Sequence, residues 1–387
     1  MYARGLYGAR NPPLNTLWAT FYDPPFFSQI IARNRLKEIT YFLLFDHKTE
    51  RSEGLKSDKF ALASFLWYPF IENSVSCYKP GVNLTIDEQF LLSKARCPFT
   101  QYIPSKLDNF GIKFWLFVCV DSKYVLNGFP YTDADSERPA DQAVREHVVM
   151  KFTQPYLGKP KRNTASDQAV HEHVVMKFTQ PYLGIPKRNV TTDSYFSTVK
   201  LCERFKSQST SLVGTLRRDR IEVPPTEKLG KQNLYSTILY VKDKDITFIV
   251  YQGKKNKNIL LLSSLHNAVI NDDNEKKPET VTYYNRTKYG VDILDQMIRL
   301  YSTKSGTCRW PIHVFFNVLD ISATNAWILY KDVTGKNKLS SRNFVLQLSE
   351  ELRAPCVSSR NTANARKPTE QRVNREDITI KKRSKCR

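Results

Sequence analysis

The stretch Asn83-Leu84-Thr85-Ile86-Asp87 is a short run of strand-forming residues that ends on a carboxylate. A second stretch, Asn189-Val190-Thr191-Thr192-Asp193, has the same design, with β-branched residues followed by an aspartate. Branched side chains favour strands because they pack well on a pleated surface. Both stretches are therefore predicted to be strands whose final side chains are acidic.

A β-hairpin is predicted between these two stretches. The apolar run 112–120 is followed, across three polar residues, by the run 124–131, and this spacing is typical of antiparallel strands joined by a turn. A further strand is predicted at 211–215. The order strand, hairpin, helix, strand is that of a ribonuclease-H-like core, in which the first and fourth strands lie side by side. Asp87 and Asp193 are therefore expected to meet.

A third acidic position lies in the segment 284–297, which has helical periodicity. Its carboxylates, Asp292 and Asp295, are three residues apart and so share one helix face. Paired carboxylates suit a divalent cation, which prefers oxygen ligands. The alternative is that both acids stabilise a helix N-terminus near Gly290. If this helix reaches the two strand ends, three carboxylates would converge, and two metal ions there could promote phosphodiester chemistry.

The chain contains an internal repeat. Residues 140–163 and 166–189 differ only at the aligned pairs Ala140/Ser166, Arg145/His171 and Lys159/Ile185. Each copy is predicted to be an amphipathic helix closed by a Pro/Gly turn. Two copies are too few for a solenoid, so a recent duplication or an error in gene assembly is the plainer explanation. The extra copy is expected either to loop out or to displace the helix that supports Asp193.

Composition favours a nucleic-acid partner. The formal net charge of the 387 residues is +21, with a pI near 9.6, and such a surplus attracts polyanions. The apolar runs are strand-sized, so no membrane association is expected. Seven cysteines without a C-x-x-C pair argue against a zinc site or a disulfide framework.

Several sequence blocks resemble those of the piggyBac transposases and their domesticated derivatives, and they occur in the same order. The blocks are residues 83–89, 96–99, 102–106, 111–113, 188–196, 284–297 and 309–311. The resemblance extends over almost the whole chain. It implies a mixed α/β fold, with a ribonuclease-H-like catalytic core, a small β-rich insertion and a flanking all-helical domain.

The resemblance also implies a domain plan. The helical dimerisation and DNA-binding domain would combine 1–82 with 300–355, and the catalytic core would combine 83–216, including the doubled helix at 140–189, with the acid-bearing helix at 281–299. The insertion would span 217–280, and a basic disordered tail would span 356–387. A cysteine-rich zinc domain would follow Arg387, so no zinc is expected in the chain itself.

The activity implied by the resemblance is metal-dependent DNA strand nicking, hairpin formation and strand transfer at TTAA targets. Asp87, Asp193 and Asp292 would bind two Mg²⁺ or Mn²⁺ ions, and Asp295 would be a supporting fourth catalytic carboxylate. The partners would be double-stranded transposon ends and a second copy of the chain, and the location would be the nucleus. The alternative is a catalytically inactive, domesticated or decaying remnant that only binds DNA.

Further nucleic-acid contacts are predicted at two basic positions. Trp310, beside Arg309, could stack on an unpaired base, or it could anchor the start of a helix. The run Lys381, Lys382 and Arg383 could be a nuclear-import signal or a DNA-contacting tail.

Overall fold

The structure is a computed structural model. It describes residues 1–7, 17–18, 26–47, 49–104, 109–132, 179, 188–218, 223, 233–242, 246–255, 257–267, 271–272 and 277–365. The two repeat copies, apart from Thr179 and the last residues of the second copy, lie outside this part of the chain. The amphipathic helices predicted for them therefore stay predictions.

A nine-stranded mixed sheet forms the centre of the protein. Its strands, in chain order, are β1 (Asn83–Leu92), β2 (Gln101–Tyr102), β3 (Phe110–Cys119), β4 (Val125–Pro130), β5 (Arg188–Thr192), β6 (Thr210–Thr215), β7 (Thr237–Lys242), β8 (Ile246–Lys254) and β9 (Lys257–Ser263). The order across the sheet is β2-β3-β1-β5-β6-β9-β8-β7, with β4 also paired to β3. Strand β1 is longer than the predicted strand 83–87, because it continues five residues beyond Asp87.

Strands β1 and β5 lie side by side, as the sequence predicted, and they run parallel. The β3–β4 pair is the predicted hairpin. Strand β5 pairs in parallel with β6 on its other side. This arrangement confirms the mixed α/β fold, and the extra repeat copy has not displaced the β1–β5 pairing.

The residues of β3 alternate between two cores, one on each face of the sheet. Phe114 and Leu116 contribute to one core, whereas Trp115 and Phe117 contribute to the other. Successive strand side chains point to opposite faces, so a continuous apolar run can fill both. Helices therefore cover both faces of this part of the sheet.

The helices that surround the sheet fall before, within and after the strand series. They are α1 (Tyr2–Leu6), α2 (Phe26–Ile30), α3 (Arg33–Phe42), α4 (Arg51–Ser57), α5 (Ala61–Cys77), α6 (Val199–Ser207), α7 (Glu279–Lys288), α8 (Gly290–Leu300), α9 (Trp310–Thr334) and α10 (Ser341–Ala365). A short ladder of β10 (Asn271–Asp272) and β11 (Lys277–Pro278) precedes α7. Helices α5, α8 and α9 share a core with β3, while α6 packs on the opposite face.

Two further segments complete the described structure. Strands β7 to β9, within the predicted β-rich insertion, extend the central sheet through the antiparallel β6–β9 pair. Helix α10 continues to Ala365, ten residues into the tail predicted to be disordered. Contacts with α2 explain this, because Arg360 donates to the carbonyl of Gln29 at 2.8 Å and the Cys356 thiol donates to that of Ile30 at 3.6 Å.

Helix α9 is long and apolar enough to cross a membrane by length and composition. However, 67% of its most apolar window is buried inside the protein. Val314, Val318 and Ile321 recur at helical spacing and pack into the core shared with α5 and α8. The apolar character of this helix is thus used in tertiary packing.

The segment predicted as one acid-bearing helix is broken at Tyr289 into α7 and α8. Gly290, the first residue of α8, is pressed against β1. A Cβ atom at this position would lie 2.4 Å from Cγ2 of Thr85, which is closer than any real contact. The glycine therefore allows the helix N-terminus to approach the strand.

We expect Gly290→Ala to destabilise the protein by about 1–3 kcal/mol, the usual cost of overpacking a core. Thr85→Ser removes the Cγ2 methyl group that the added Cβ would meet. Combined with Gly290→Ala, it should therefore restore part of the lost stability. Urea unfolding followed by circular dichroism measures both effects. Gly306→Ala is the matched control, because nothing lies within 4 Å of its added Cβ. Equal stability losses in the two alanine variants would contradict the close approach.

Candidate active site

The parallel pairing of β1 and β5 brings the first two aspartates together. Ile86 is paired with Thr192 in the strand register, so Asp87 and Asp193 are the next residues, at the point where the β1–β5 pairing ends. Strand β5 also ends there, whereas β1 continues to Leu92 in its pairing with β3. The predicted meeting of these two side chains follows from this register.

The loop after β5 holds Asp193 in a fixed orientation. Its Oδ1 accepts hydrogen bonds from the backbone amides of Tyr195 at 3.0 Å and Phe196 at 3.4 Å. Ser197 donates from its hydroxyl to the Asp193 carbonyl at 2.8 Å. An aspartate that bonds the amides ahead of it forms a local turn, so this carboxylate is part of the turn that it stabilises.

Helix α8 supplies the third aspartate. Val291, Leu294 and Ile298 are buried along one side of the helix, and this packing sets its rotation. Asp292 lies in the first turn, close to the strand ends. The helix-capping interpretation is partly right, since the carboxylate also lies where the helix dipole favours negative charge.

One cavity of about 220 Å³ joins the three aspartates. Its lining also includes polar and aromatic side chains from the strand ends and from the α7–α8 junction. The lining residues are Thr85, Ile86, Asp87, Thr191, Thr192, Asp193, Tyr284, Lys288, Tyr289 and Asp292. Three carboxylates from three distant parts of the chain thus line one cavity, with Asp292 at its solvent-exposed side.

Burial and like charge raise the pKa of two of these carboxyl groups. The pKa of Asp87 rises to about 7, chiefly because the group is removed from water and also because Asp193 and Asp292 are near; the backbone amide of Glu88 opposes this change. The pKa of Asp193 is also raised, again mainly by burial, although its two backbone hydrogen bonds and Lys113 act in the opposite direction. Ionising the cavity is therefore unfavourable unless a cation enters.

The donor set fits a hard divalent cation. All three side chains offer carboxylate oxygens, which Mg²⁺ and Mn²⁺ prefer, and their mutual repulsion would be relieved by positive charge. No three His, Cys, Asp or Glu side chains in the described ranges stand at the mutual distances of a ready-made metal cluster. The aspartates line a shared cavity and do not touch one another.

Lys288 is a cation at this cavity that sequence reasoning missed. Its ammonium lies 5.3 Å from the ring centroid of Tyr284 and 4.7 Å from that of Tyr289. Among the residues that the structure describes, it forms no ion pair with a carboxylate. The four-residue spacing from Lys288 to Asp292 was the available signal, because it places both groups at the α7–α8 junction. This ammonium is positioned to meet an anion that enters the cavity.

Asp295 does not line the carboxylate cavity, and its role as a supporting catalytic carboxylate stays a prediction. Three residues along a helix advance about 4.5 Å, and this carries Asp295 away from the strand ends. Its Oδ1 accepts a hydrogen bond from Gln89 at 2.9 Å, and Arg299 lies 3.6 Å from its Oδ2. The carboxylate is already engaged by side chains of β1 and α8.

Arg309 and Trp310 make contacts within the protein. Trp310 is only 5% exposed and packs against Phe60 and Phe99, so it cannot stack on a base in this structure. The helix-anchoring alternative is correct, since Trp310 begins α9. Arg309 donates to the carbonyls of Tyr41 and Leu43, both at 2.7 Å. Lys381, Lys382 and Arg383 lie outside the described residues.

Comparison with known proteins gives two findings. A sequence model of the family described as Transposase IS4 matches residues 8–169 and again residues 158–327. The two matches overlap at residues 158–169, where the first repeat copy ends and the second begins. Such an overlap is expected when a segment is duplicated. The cryo-EM structure of the piggyBac transposase synaptic complex with hairpin DNA is 26% identical to this chain, with a TM-score of 0.79, and the match covers 96% of this chain and 72% of that one.

The raised pKa of Asp87 predicts that the metal-free protein loses stability as pH rises. The folded state holds this proton up to about pH 7, whereas the unfolded group releases it near 3.8. The stability gained from protonation is thus present at low pH and is lost as pH rises through 7. We expect the Tm to fall between about pH 5 and pH 8 in EDTA, measured by calorimetry.

The variant Asp87→Asn should flatten this dependence, and Mg²⁺ at about pH 8 should raise the Tm of the wild type but not that of the variant. The exposed Asp332 offers a control, because Asp332→Asn should keep the wild-type profile. A wild-type Tm that rises through this pH interval would contradict the electrostatic description of the cavity.

Proposed function

Because the chain belongs to the IS4 transposase family, we propose that its three-aspartate cavity cleaves and joins DNA strands. The observation that carries this proposal is the convergence of Asp87, Asp193 and Asp292 on one cavity. Transposases of this kind use divalent metals, and the oxygen donors of the cavity fit them. Two bound ions would activate the attacking oxygen and stabilise the leaving oxygen of the phosphodiester.

The three aspartates would bind the metal ions from different elements of the fold. Asp87 and Asp193 would hold the ions from the sheet, while Asp292 would hold them from helix α8. The hydrogen-bonded turn after β5 keeps the Asp193 carboxylate in place, which matters because such sites tolerate only small displacements. Buried apolar side chains on both faces of the sheet keep these elements rigid.

Lys288 is proposed to bind the phosphate at the cleavage point. Its ammonium lies over two tyrosine rings, and Lys288 lines the same cavity as the three carboxylates. A phosphodiester that enters the cavity would therefore contact both the metal ions bound by the carboxylates and the positive charge of Lys288. Tyr289, which is 45% exposed, offers a ring at the entrance on which a nearby base could stack.

The finer steps follow the resemblance to piggyBac transposase. The similar solved structure is a synaptic complex with hairpin DNA. We propose that this chain likewise acts on double-stranded transposon ends as a homodimer in the nucleus, nicking each end, closing a hairpin and joining the ends at TTAA with Mg²⁺. The net charge of +21 supports a polyanionic substrate.

A second candidate function is DNA binding without cleavage. The doubled segment supports it, because the family model matches in two overlapping parts, 8–169 and 158–327, rather than in one. A remnant of this kind would bind DNA mainly through phosphate contacts, with strong salt dependence and little sequence preference. Cleavage assays separate the two candidates.

We expect the purified chain with Mg²⁺ to nick a duplex that carries the terminal repeats of its own element next to TTAA. Asp193→Asn removes one carboxylate of the cavity and should abolish nicking, a loss of at least about a thousandfold, without weakening DNA binding. Denaturing gels with end-labelled strands would display both nicks and hairpins. Asp332→Asn should cut like the wild type.

Equal, background-level cutting by the wild type and Asp193→Asn would reject the enzymatic function and favour the DNA-binding remnant. A duplex with a scrambled TTAA tests the target preference separately.

The phosphate contact of Lys288 gives a distinct prediction. Lys288→Ala should lower the nicking rate by about tenfold to a hundredfold and should reduce the slope of log affinity against log salt by about 1. Fluorescence anisotropy at several salt concentrations measures the slope. Lys331 also lies over an aromatic ring, 3.9 Å from the Trp327 centroid, but outside the cavity. Lys331→Ala should therefore keep the wild-type rate and slope, and an equal effect of both variants would argue against a specific contact.

A further inference from the structure

Asp295, Gln89 and Asn317 form a hydrogen-bonded bridge between three elements of the core, with both amides buried and the carboxylate half-buried. The Gln89 Nε2 donates to Asp295 Oδ1 at 2.9 Å, and the Asn317 Nδ2 donates to Gln89 Oε1 at 2.9 Å. These side chains come from β1, α8 and α9. We call this set the Asp295–Gln89–Asn317 bridge.

The direction of the bridge is fixed by the chemistry of its ends. An ionised carboxylate only accepts hydrogen bonds, so it requires the Nε2 side of the glutamine amide. The Oε1 side then faces Asn317, whose amide nitrogen must be the donor. A flipped Gln89 would lose both bonds, and this leaves a single arrangement that satisfies the amide.

The two amides of the bridge have little access to solvent. Gln89 is 1% exposed and Asn317 is 4% exposed, while the Asp295 side chain is 15% exposed. A buried amide that loses its partner bears the full cost of its desolvation. The bridge is consequently a rigid link, unlike a pair of polar groups at the surface.

The bridge lies directly behind the carboxylate cavity. Gln89 follows Asp87 by two residues, so both side chains leave the same face of β1. Asp295 follows Asp292 by three residues on the corresponding face of α8. The bridge thus joins β1, which carries Asp87, to α8, which carries Asp292, close to both aspartates.

Arg299 reinforces the link from the exposed side. Its guanidinium lies 3.6 Å from Asp295 Oδ2 and donates to the Phe90 carbonyl at 3.5 Å. Asp295 therefore has β1 contacts through both of its oxygens, directly through Gln89 and indirectly through Arg299.

We propose that Gln89 is a positioning residue that acts through Asp295 to set the distance between Asp87 and Asp292. Asp295 contributes through this bridge and not as a ligand inside the cavity. The inference rests on the proposed function, because it concerns the same carboxylate site. Groups that orient metal ligands typically change metal affinity by 10–100-fold when they are removed.

The test compares Mn²⁺ affinity, measured by titration calorimetry, with the nicking rate. The variants are Gln89→Leu, Gln89→Met, Asp295→Asn, Asp295→Ala and Asp292→Asn. Gln89→Met keeps the length of the side chain in case Gln89→Leu does not fold, and Asp295→Ala removes the other end of the bridge. The matched control is Gln296→Leu, at an exposed position on the same helix.

Both Gln89 variants and Asp295→Ala should weaken Mn²⁺ binding by about tenfold or more. The double variant Gln89→Leu/Asp295→Ala should be no weaker than either single change, because both break one bridge. Asp295→Asn retains an oxygen that accepts from Gln89, so its affinity should stay within about threefold of the wild type. Asp292→Asn should lose most of the affinity, and Gln296→Leu should lose none.

Three results would overturn the proposal: an Asp295→Asn affinity as low as that of Asp292→Asn, wild-type affinity in the Gln89 variants, or a wild-type chain that does not bind Mn²⁺. A wild type that binds Mn²⁺ without nicking DNA would instead reject the proposed function, while the affinities would still decide the role of the bridge.

Discussion

The parallel pairing of β1 with β5 is the contact on which the rest of the structure depends. Its two strands are separated by about a hundred residues, and no local turn can join them. Hydrogen bonds at their amino ends fix the register, since Asn83 Oδ1 accepts from Asn189 Nδ2 at 3.1 Å and from the Tyr283 hydroxyl at 2.8 Å. A slip of one residue would turn every side chain of a strand to the other face. The acids would then no longer meet where the β1–β5 pairing ends.

Folding this register brings like charges together, and the protein must stabilise that arrangement elsewhere. Each buried apolar side chain on the two faces of the sheet contributes about 1.5–3 kcal/mol. These cores hold the elements in place while the cavity raises the pKa of Asp87 to about 7. Sites of this kind are often less stable than the rest of the fold, because function requires the strained arrangement. A divalent cation would remove the repulsion without moving the scaffold.

Local patterns predicted the strands beside Asp87 and Asp193, because alternation and β-branched residues act over a few positions. Strand order then predicted that the two aspartates meet, although β1 continues beyond Asp87 to Leu92. The place of Asp295 could not be predicted, because helical spacing shows which acids share a face but not where the helix axis points. Trp310 was ambiguous for a similar reason. Only the packing of α5 against α9 determines that its ring meets Phe60 in the interior.

The repeat raises the question of which copy supplies β5. At the end of the first copy the equivalent residues are Asn163-Thr164-Ala165-Ser166-Asp167, which also place an aspartate four residues after an asparagine. The structure uses the stretch at the end of the second copy, in which residues 189–192 pair with β1. An acid at the right spacing is therefore insufficient to select the strand.

The side chains around that acid explain the choice. Val190 is 1% exposed in the core, where the first copy would place the more polar Thr164. Thr191 donates to the Thr287 hydroxyl at 2.8 Å, a bond that the corresponding alanine could not make.

Tyr195 and Phe196 pack on Trp115 at centroid distances of 5.2 and 4.7 Å, and the equivalent positions after the first copy hold alanine and valine. Aromatic pairs add about 0.5–1.5 kcal/mol beyond area burial. These differences all favour the second copy, so packing selects the strand and thereby decides which aspartate reaches the cavity.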